Sequence, residues 1–218
     1  MSKSKRILLP VISFGIILAF ALILIIPSSR EWFKEMSNTH PYVMGFVKFA
    51  FLATVGEIFA FKIAKKEWGL PVKTGVKFII WGIIGLWITY MMKVFGSAMA
   101  ALMNNGLLPN PQNPMLNTFL IAIFTSLTMN LSFAPTFMAI HKCSDKYLEL
   151  KSQNADKSTE SVIKSIDWVG FVKFTLFKTV PIFWIPAHTI TFMLPAEYQV
   201  IMAAALSVAL GIILSLKK

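Results

Sequence analysis

Charge is scarce in this chain, and negative charge most of all. Asp, Glu, Lys and Arg make up 14% of the 218 residues, with ten acids against 21 bases. A soluble domain of this size usually carries about 25% charged residues. There are too few polar side chains here to cover a surface facing water, and 56% of the chain is hydrophobic. Cysteine is nearly absent: Cys143 stands alone, which excludes an intrachain disulfide. It lies in a stretch expected to face the cytoplasm, where thiols stay reduced. Its neighbour His141 is close in sequence only, which is not a catalytic geometry. Also missing are a P-loop, an HExxH pair, a GxSxG elbow, paired carboxylates and zinc-ligand spacing. No enzymatic activity, cofactor or metal is expected from such a sequence. The formal charge of +11 would suggest nucleic acid in a soluble protein. No RNA-binding aromatic motif or basic DNA-reading helix accompanies it, so the lysines read as loops facing anionic lipid headgroups.

What is abundant is long apolar sequence, with 19 Phe and 12 Met. A span needs about 20 mostly apolar residues to cross about 30 Å of hydrocarbon. Six stretches answer to this: Ile7 to Pro27, Val43 to Ala64, Phe78 to Met103, Leu116 to Ile140, Trp168 to Leu194 and Tyr198 to Leu216. The intervening basic residues alternate. Lys3, Lys5 and Arg6 precede the first span. Lys62, Lys65, Lys66, Lys73 and Lys77 surround the second connection, Lys142, Lys146, Lys151, Lys157 and Lys164 the fourth, and Lys217 and Lys218 end the chain. The other side carries only Arg30 and Lys34. The positive-inside rule then predicts six spans with both termini in the cytoplasm. The first apolar run is longer than a signal-peptide core and lacks a small-x-small cleavage site, so it reads as an uncleaved helix. The expectation is an all-α, multi-pass bundle forming one integral membrane domain, with the stretch Ser144 to Asp167 a solvated linker whose ends extend the flanking helices. With no transit peptide in view, a prokaryotic plasma membrane is favoured over an organelle.

Within the spans, small residues four apart mark packing faces: Gly56, Ala60 and Ala64 on the second helix, and Ala203, Ser207 and Gly211 on the sixth. The fourth carries Thr125, Thr128, Ser132 and Thr136 on one helical face, with Thr118 on the same side and Asn130 near mid-membrane. These hydroxyls either line a solute path or bond back to their own backbone and ease packing. Pro135 lies in that helix, and Pro181 and Pro186 in the fifth; each removes a backbone hydrogen bond and predicts a hinge. Glu57 is the only acid in a span core. Charges there normally pair or face water, so Lys93 or Lys178 is the expected counter-charge. Lys48, Lys62 and Lys173 lie nearer the span ends, where they can snorkel. His188 is read as a packing group or a proton relay.

Several patches in order resemble one family: His40-Pro41, Gly56-Glu57, Gly85 followed by Tyr90 and Lys93, Phe133-Ala134-Pro135, then Trp184-x-Pro186, Phe192, Pro195, Val200 and Leu214-Ser215. Together they resemble the Mpv-seventeen/PMP-twenty-two proteins of peroxisomes and the mitochondrial inner membrane, over roughly residues 40–216. Glu57 stands where the family has aspartate, Phe61 where it has glutamine, Thr191 where it has asparagine and Gln199 where it has arginine. The first helix is additional to the family's usual four. The resemblance implies a channel-like role with no assigned solute. The combined expectation is a channel or pore for small solutes or ions, formed by one chain or several copies, with helix-four hydroxyls and Glu57 lining it. The alternative is a non-conducting scaffold or accessory subunit.

Overall fold

Prolines and side-chain caps punctuate an otherwise uninterrupted helical chain. The computed structural model describes residues 3–215, and all its regular structure is helical. α1 (Lys3–Ile25) ends just before Pro27, which opens α2 (Pro27–Thr39) at its first turn; Pro41 opens α3 (Pro41–Lys65) in the same way. Proline suits a first helical turn because that N–H has no partner to lose. α3 stops at Lys66, which adopts a left-handed conformation. α4 (Thr74–Asn104) closes with Gly106 at φ 73° and Leu107 N bonded back to Leu102 O at 2.9 Å. That six-to-one bond needs a residue tolerant of positive φ, and glycine supplies it. Asn113 caps α5 (Pro114–Thr128), its side chain accepting from Met115 N and Leu116 N at 3.0 Å each.

Beyond α5 the helix widens to i→i+5 bonding in π1 (Met129–Phe133) and continues as α6 (Ala134–Ser152). After α7 (Thr159–Lys164), the short α8 (Trp168–Gly170) leads into a long wide segment, π2 (Phe171–Trp184), and then α9 (Ile185–Met193). α10 (Ala196–Ser215) completes the chain.

Five helices are long and apolar enough to cross a bilayer: Leu8–Ile25, Pro41–Lys65, Thr74–Asn104, Pro114–Ser152 and Trp168–Met193. α10 is a further apolar helix whose described apolar stretch is shorter, Ala196–Leu210. Their outward side chains are apolar: Leu18, Ile83, Leu131 and Ile190 are all more than half exposed. Contiguous apolar surface on this scale would be a liability in water and is what hydrocarbon requires. The protein is an all-α, multi-pass membrane protein.

Two stretches expected as connections are helical. The one after the first span is α2, an amphipathic helix that buries Phe33 and Ser37. The fourth is formed partly by the end of α6, which runs twelve residues beyond Ile140, and partly by α7. The residues from His141 onward are mostly polar, and this 39-residue helix is far longer than the hydrocarbon is thick. Between α6 and α7, Asp156 accepts from Ser158 N at 3.0 Å, from Ser158 Oγ at 2.8 Å and from Ser161 Oγ. These donors hold its carboxyl at a pKa of about 2, below the usual carboxylate range, with the Ser161 bond the largest cause.

The chain forms two compact units. One comprises residues up to Tyr90 together with those from Pro195 onward; the other is Met91–Leu194. In the first, α3 packs along α10 and against the N-terminal half of α4. Small residues bring these helices close: Gly56 lies against Val208 of α10, and Gly45 meets Gly85 of α4. Gly56 therefore packs as its stripe predicts, whereas the surroundings of Gly211 lie outside the described residues. In the second unit, α9 packs against α5.

A methyl at Gly85 would stand 2.7 Å from Phe49 Cβ and 2.9 Å from the Gly45 carbonyl carbon, forcing α3 and α4 apart. Gly85→Ala is expected to lower stability by about 1–3 kcal/mol. Gly96→Ala meets nothing within 4 Å and should be neutral or slightly stabilising, since alanine is the better helix former. Unfolding in detergent micelles compares the two. Asp156 sets a pH dependence of its own. A depressed carboxyl contributes order that is present above its ordinary value of 3.8 and lost as pH falls through 2. The Asp156 carboxyl should therefore titrate near pH 2, and the hydrogen bond from Ser158 N should weaken progressively between pH 3.8 and pH 2, as read by NMR shifts of the two groups.

Candidate functional site

Pro135 organises the site in the second unit. It has no N–H, and its ring would crowd the carbonyl one turn back in a regular α-helix. The chain relieves this over Met129–Phe133 by widening one turn, so that Ala134 N donates to Met129 O, five residues back. Polar side chains serve the loosened backbone. Asn130 Nδ2 donates to Ser126 O at 2.8 Å, and Ser132 Oγ to Thr128 O at 2.5 Å.

The same turn directs Asn130 inward, where it is completely buried. It meets His188, which α9 presents two residues after Pro186. Asn130 Nδ2 lies 3.0 Å from His188 Nδ1, and Asn130 Oδ1 lies 3.2 Å from the same nitrogen. Nδ1 either accepts from the amide, with the ring proton on Nε2, or donates to the amide oxygen. Trp184 and Phe192 flank the imidazole, with ring centroids at 5.0 and 6.4 Å. Ser126 Oγ donates to Ile185 O at 2.7 Å, and Thr189 Oγ1 donates to the same carbonyl at 2.8 Å. Ser126, Asn130, His188 and Thr189 thus form one buried polar seam joining α5 and π1 to α9. Beside Ser126, Thr125 is also fully buried, and its hydroxyl has no hydrogen-bond partner. Ser13 and Thr54 carry buried hydroxyls in the same state.

The hydroxyl stripe does not stay together. Thr125 is buried, while Thr128, Ser132 and Thr136 are exposed, as is Thr118. Thr125 and Thr128 both precede the widened turn, so the boundary between them is set by which neighbours pack on α5 and not by a change of helical spacing. Thr128 Oγ1 reaches only Met99 Sδ, at 3.7 Å, and Ser132 bonds back to its own backbone. The interior polar side of this helix is the neighbouring one, through Ser126 and Asn130.

In the first unit, Glu57 has a different counter-charge from the two expected. Its carboxylate lies 3.2 Å from Lys77 Nζ and accepts from Trp81 Nε1 at 3.0 Å. α4 starts at Thr74, earlier than Phe78, so Lys77 stands in its first turn with Trp81 one turn on. Lys93 and Lys178 are exposed on their own helices. Lys48 is a second correction: it does not snorkel but is buried, donating to Ser37 Oγ at 2.8 Å and to Glu197 O at 3.4 Å, over the Phe33 ring at 4.3 Å. The helix α2, absent from the sequence reading, supplies Phe33 and Ser37. Of the proline hinges, Pro135 and Pro186 each open a helix, and Pro181 lies inside π2.

Similarity to known proteins adds no further constraint. No family model, curated protein or solved structure matches this chain.

Asn130→Ala would leave the His188 nitrogen buried without its partner, and such losses cost about 1–3 kcal/mol. A double-mutant cycle with Asn130→Ala and His188→Ala, read by unfolding in micelles, should give a coupling of about 0.6–2 kcal/mol. A coupling of zero would mean that the two side chains are neighbours without a bond.

Proposed function

We propose that the protein carries a small polar solute or ion across the membrane, with Asn130, His188 and the adjoining hydroxyls of Thr125 and Ser126 as the binding point. The observation that carries this reading is the buried Asn130–His188 contact between a widened turn and a proline-interrupted helix. Irregular backbone at membrane depth is tolerated only where protein or water surrounds it. Broken helices meeting at polar groups are a recurring design of solute sites in transporters. An ionisable side chain inside a span is costly, so it is generally retained for function. The seam's donors are bonded within the protein and only the Thr125 hydroxyl lacks a partner, so a solute would enter by exchanging with these contacts. Membership of the Mpv-seventeen/PMP-twenty-two family, read from Gly56-Glu57, Phe133-Ala134-Pro135 and Trp184-x-Pro186, belongs to the same proposal and agrees with a permeation role.

A non-conducting scaffold or accessory subunit is the second reading, and one observation favours it. Glu57, the acid expected to line a path, is closed by Lys77 and Trp81.

Purified protein in liposomes decides between the two. With encapsulated pH and solute reporters, wild-type vesicles should show flux above empty vesicles. Asn130→Leu and His188→Phe should lower that flux at least tenfold, and the outward-facing Thr128→Val should leave it within about twofold; a tenfold change corresponds to about 1.4 kcal/mol. Wild-type vesicles no leakier than empty ones across a panel of ions and small polar solutes would sink transport and leave the scaffold reading.

A further inference from the structure

The wide helix π2 has a consequence for two lysines outside the polar seam. With i→i+5 bonding, residues five apart stack on one face, as residues four apart do in an α-helix. That register is visible along the segment: Thr179 Oγ1 donates to Phe174 O at 3.1 Å, and Ile185 N bonds to Val180 O. Lys173 and Lys178 are five apart. A regular α-helix would turn them well away from each other, whereas π2 brings them to the same side.

Both lysines are exposed. Around them the face is apolar and equally outward: Phe174 is 39% exposed, Phe177 75% and Ile182 69%. Lys178 Nζ lies 6.0 Å from the Phe174 ring centroid. Lys178 stands ten residues after Trp168 and fifteen before Met193, the two ends of this candidate span. A bare ammonium is strongly disfavoured at such depth unless water or an opposite charge accompanies it. A second copy of the chain offers no counter-charge there, because the only acid in a span core is Glu57, already bridged by Lys77.

We propose that this face of π2 binds an anionic phospholipid. The phosphate would lie between the Lys173 and Lys178 ammonium groups, and the acyl chains along Phe177 and Ile182. Charge complementarity and position both favour a lipid over a soluble anion. The two cations lie in the first half of the Trp168–Met193 span, and exposed hydrocarbon side chains flank them. Basic clusters between or along membrane helices recognise anionic headgroups in this way. The proposal stands independently of the transport reading.

Full-length protein in phosphatidylcholine nanodiscs, titrated with phosphatidylglycerol and read by native mass spectrometry, tests it. Wild-type protein should bind phosphatidylglycerol in preference to added phosphatidylcholine. Lys173→Gln and Lys178→Gln should each weaken that binding about fivefold, the factor equivalent to about 1 kcal/mol for each cation at an anionic surface. Lys173→Arg and Lys178→Arg should retain it, as should the loop control Lys151→Gln/Lys157→Gln. Absence of any wild-type preference would overturn the proposal whatever the variants do. So would unchanged affinity in the Lys173→Gln/Lys178→Gln protein, or displacement of the lipid by inorganic phosphate at equal concentration.

Discussion

Hydrocarbon offers no hydrogen bonds, and most of this structure follows from that one deficiency. A backbone N–H or carbonyl left open in lipid costs several kcal/mol, so the spans are helices. Every interruption of a helix must be repaired locally. At Pro135 the repair is a widened turn, an asparagine amide donated to the Ser126 carbonyl and a serine hydroxyl donated to the Thr128 carbonyl. The repair also carries Asn130 into the interior, where it meets His188. Backbone chemistry and the candidate site are therefore one event: the proline that breaks the ladder places the polar group.

The same deficiency governs the charges. Lys48 is held by a serine hydroxyl, a main-chain carbonyl and the face of Phe33, an arrangement that replaces part of its hydration without a carboxylate. Glu57 is held by an ammonium and an indole N–H one helical turn apart. Each is fastened by side chains from another helix, so removing one partner would leave a desolvated charge. That loss is generally more costly than the net value of the pair. Close helix approach supports these contacts. Gly45 and Gly85 let α3 and α4 meet backbone to backbone, which brings their side chains within reach.

Much of the architecture was legible in the sequence because hydropathy and proline operate locally. The long apolar runs became the long helices, and the extension of the fourth into polar sequence followed from its composition. Less was legible where phase matters. The threonine stripe assumes that one helical face meets one environment; Thr125 and Thr128, three apart in the same regular helix, fall on either side of the packing boundary, and only Thr125 is buried. Helix α2 was hidden for another reason. Its sequence is too polar for a span, and only its contact face, Phe33 and Ser37, shows that it packs.

What the sequence alone determined is the solvent and the class. Its shortage of charge, its apolar runs and its basic loops are sums over local composition, and hydrocarbon reads composition. Which polar groups meet was decided by the tertiary structure. Glu57 lies 20 residues from Lys77 and Asn130 lies 58 from His188. Pairings at those separations depend on helix start points, rotational phase and close approach, and no local pattern encodes them.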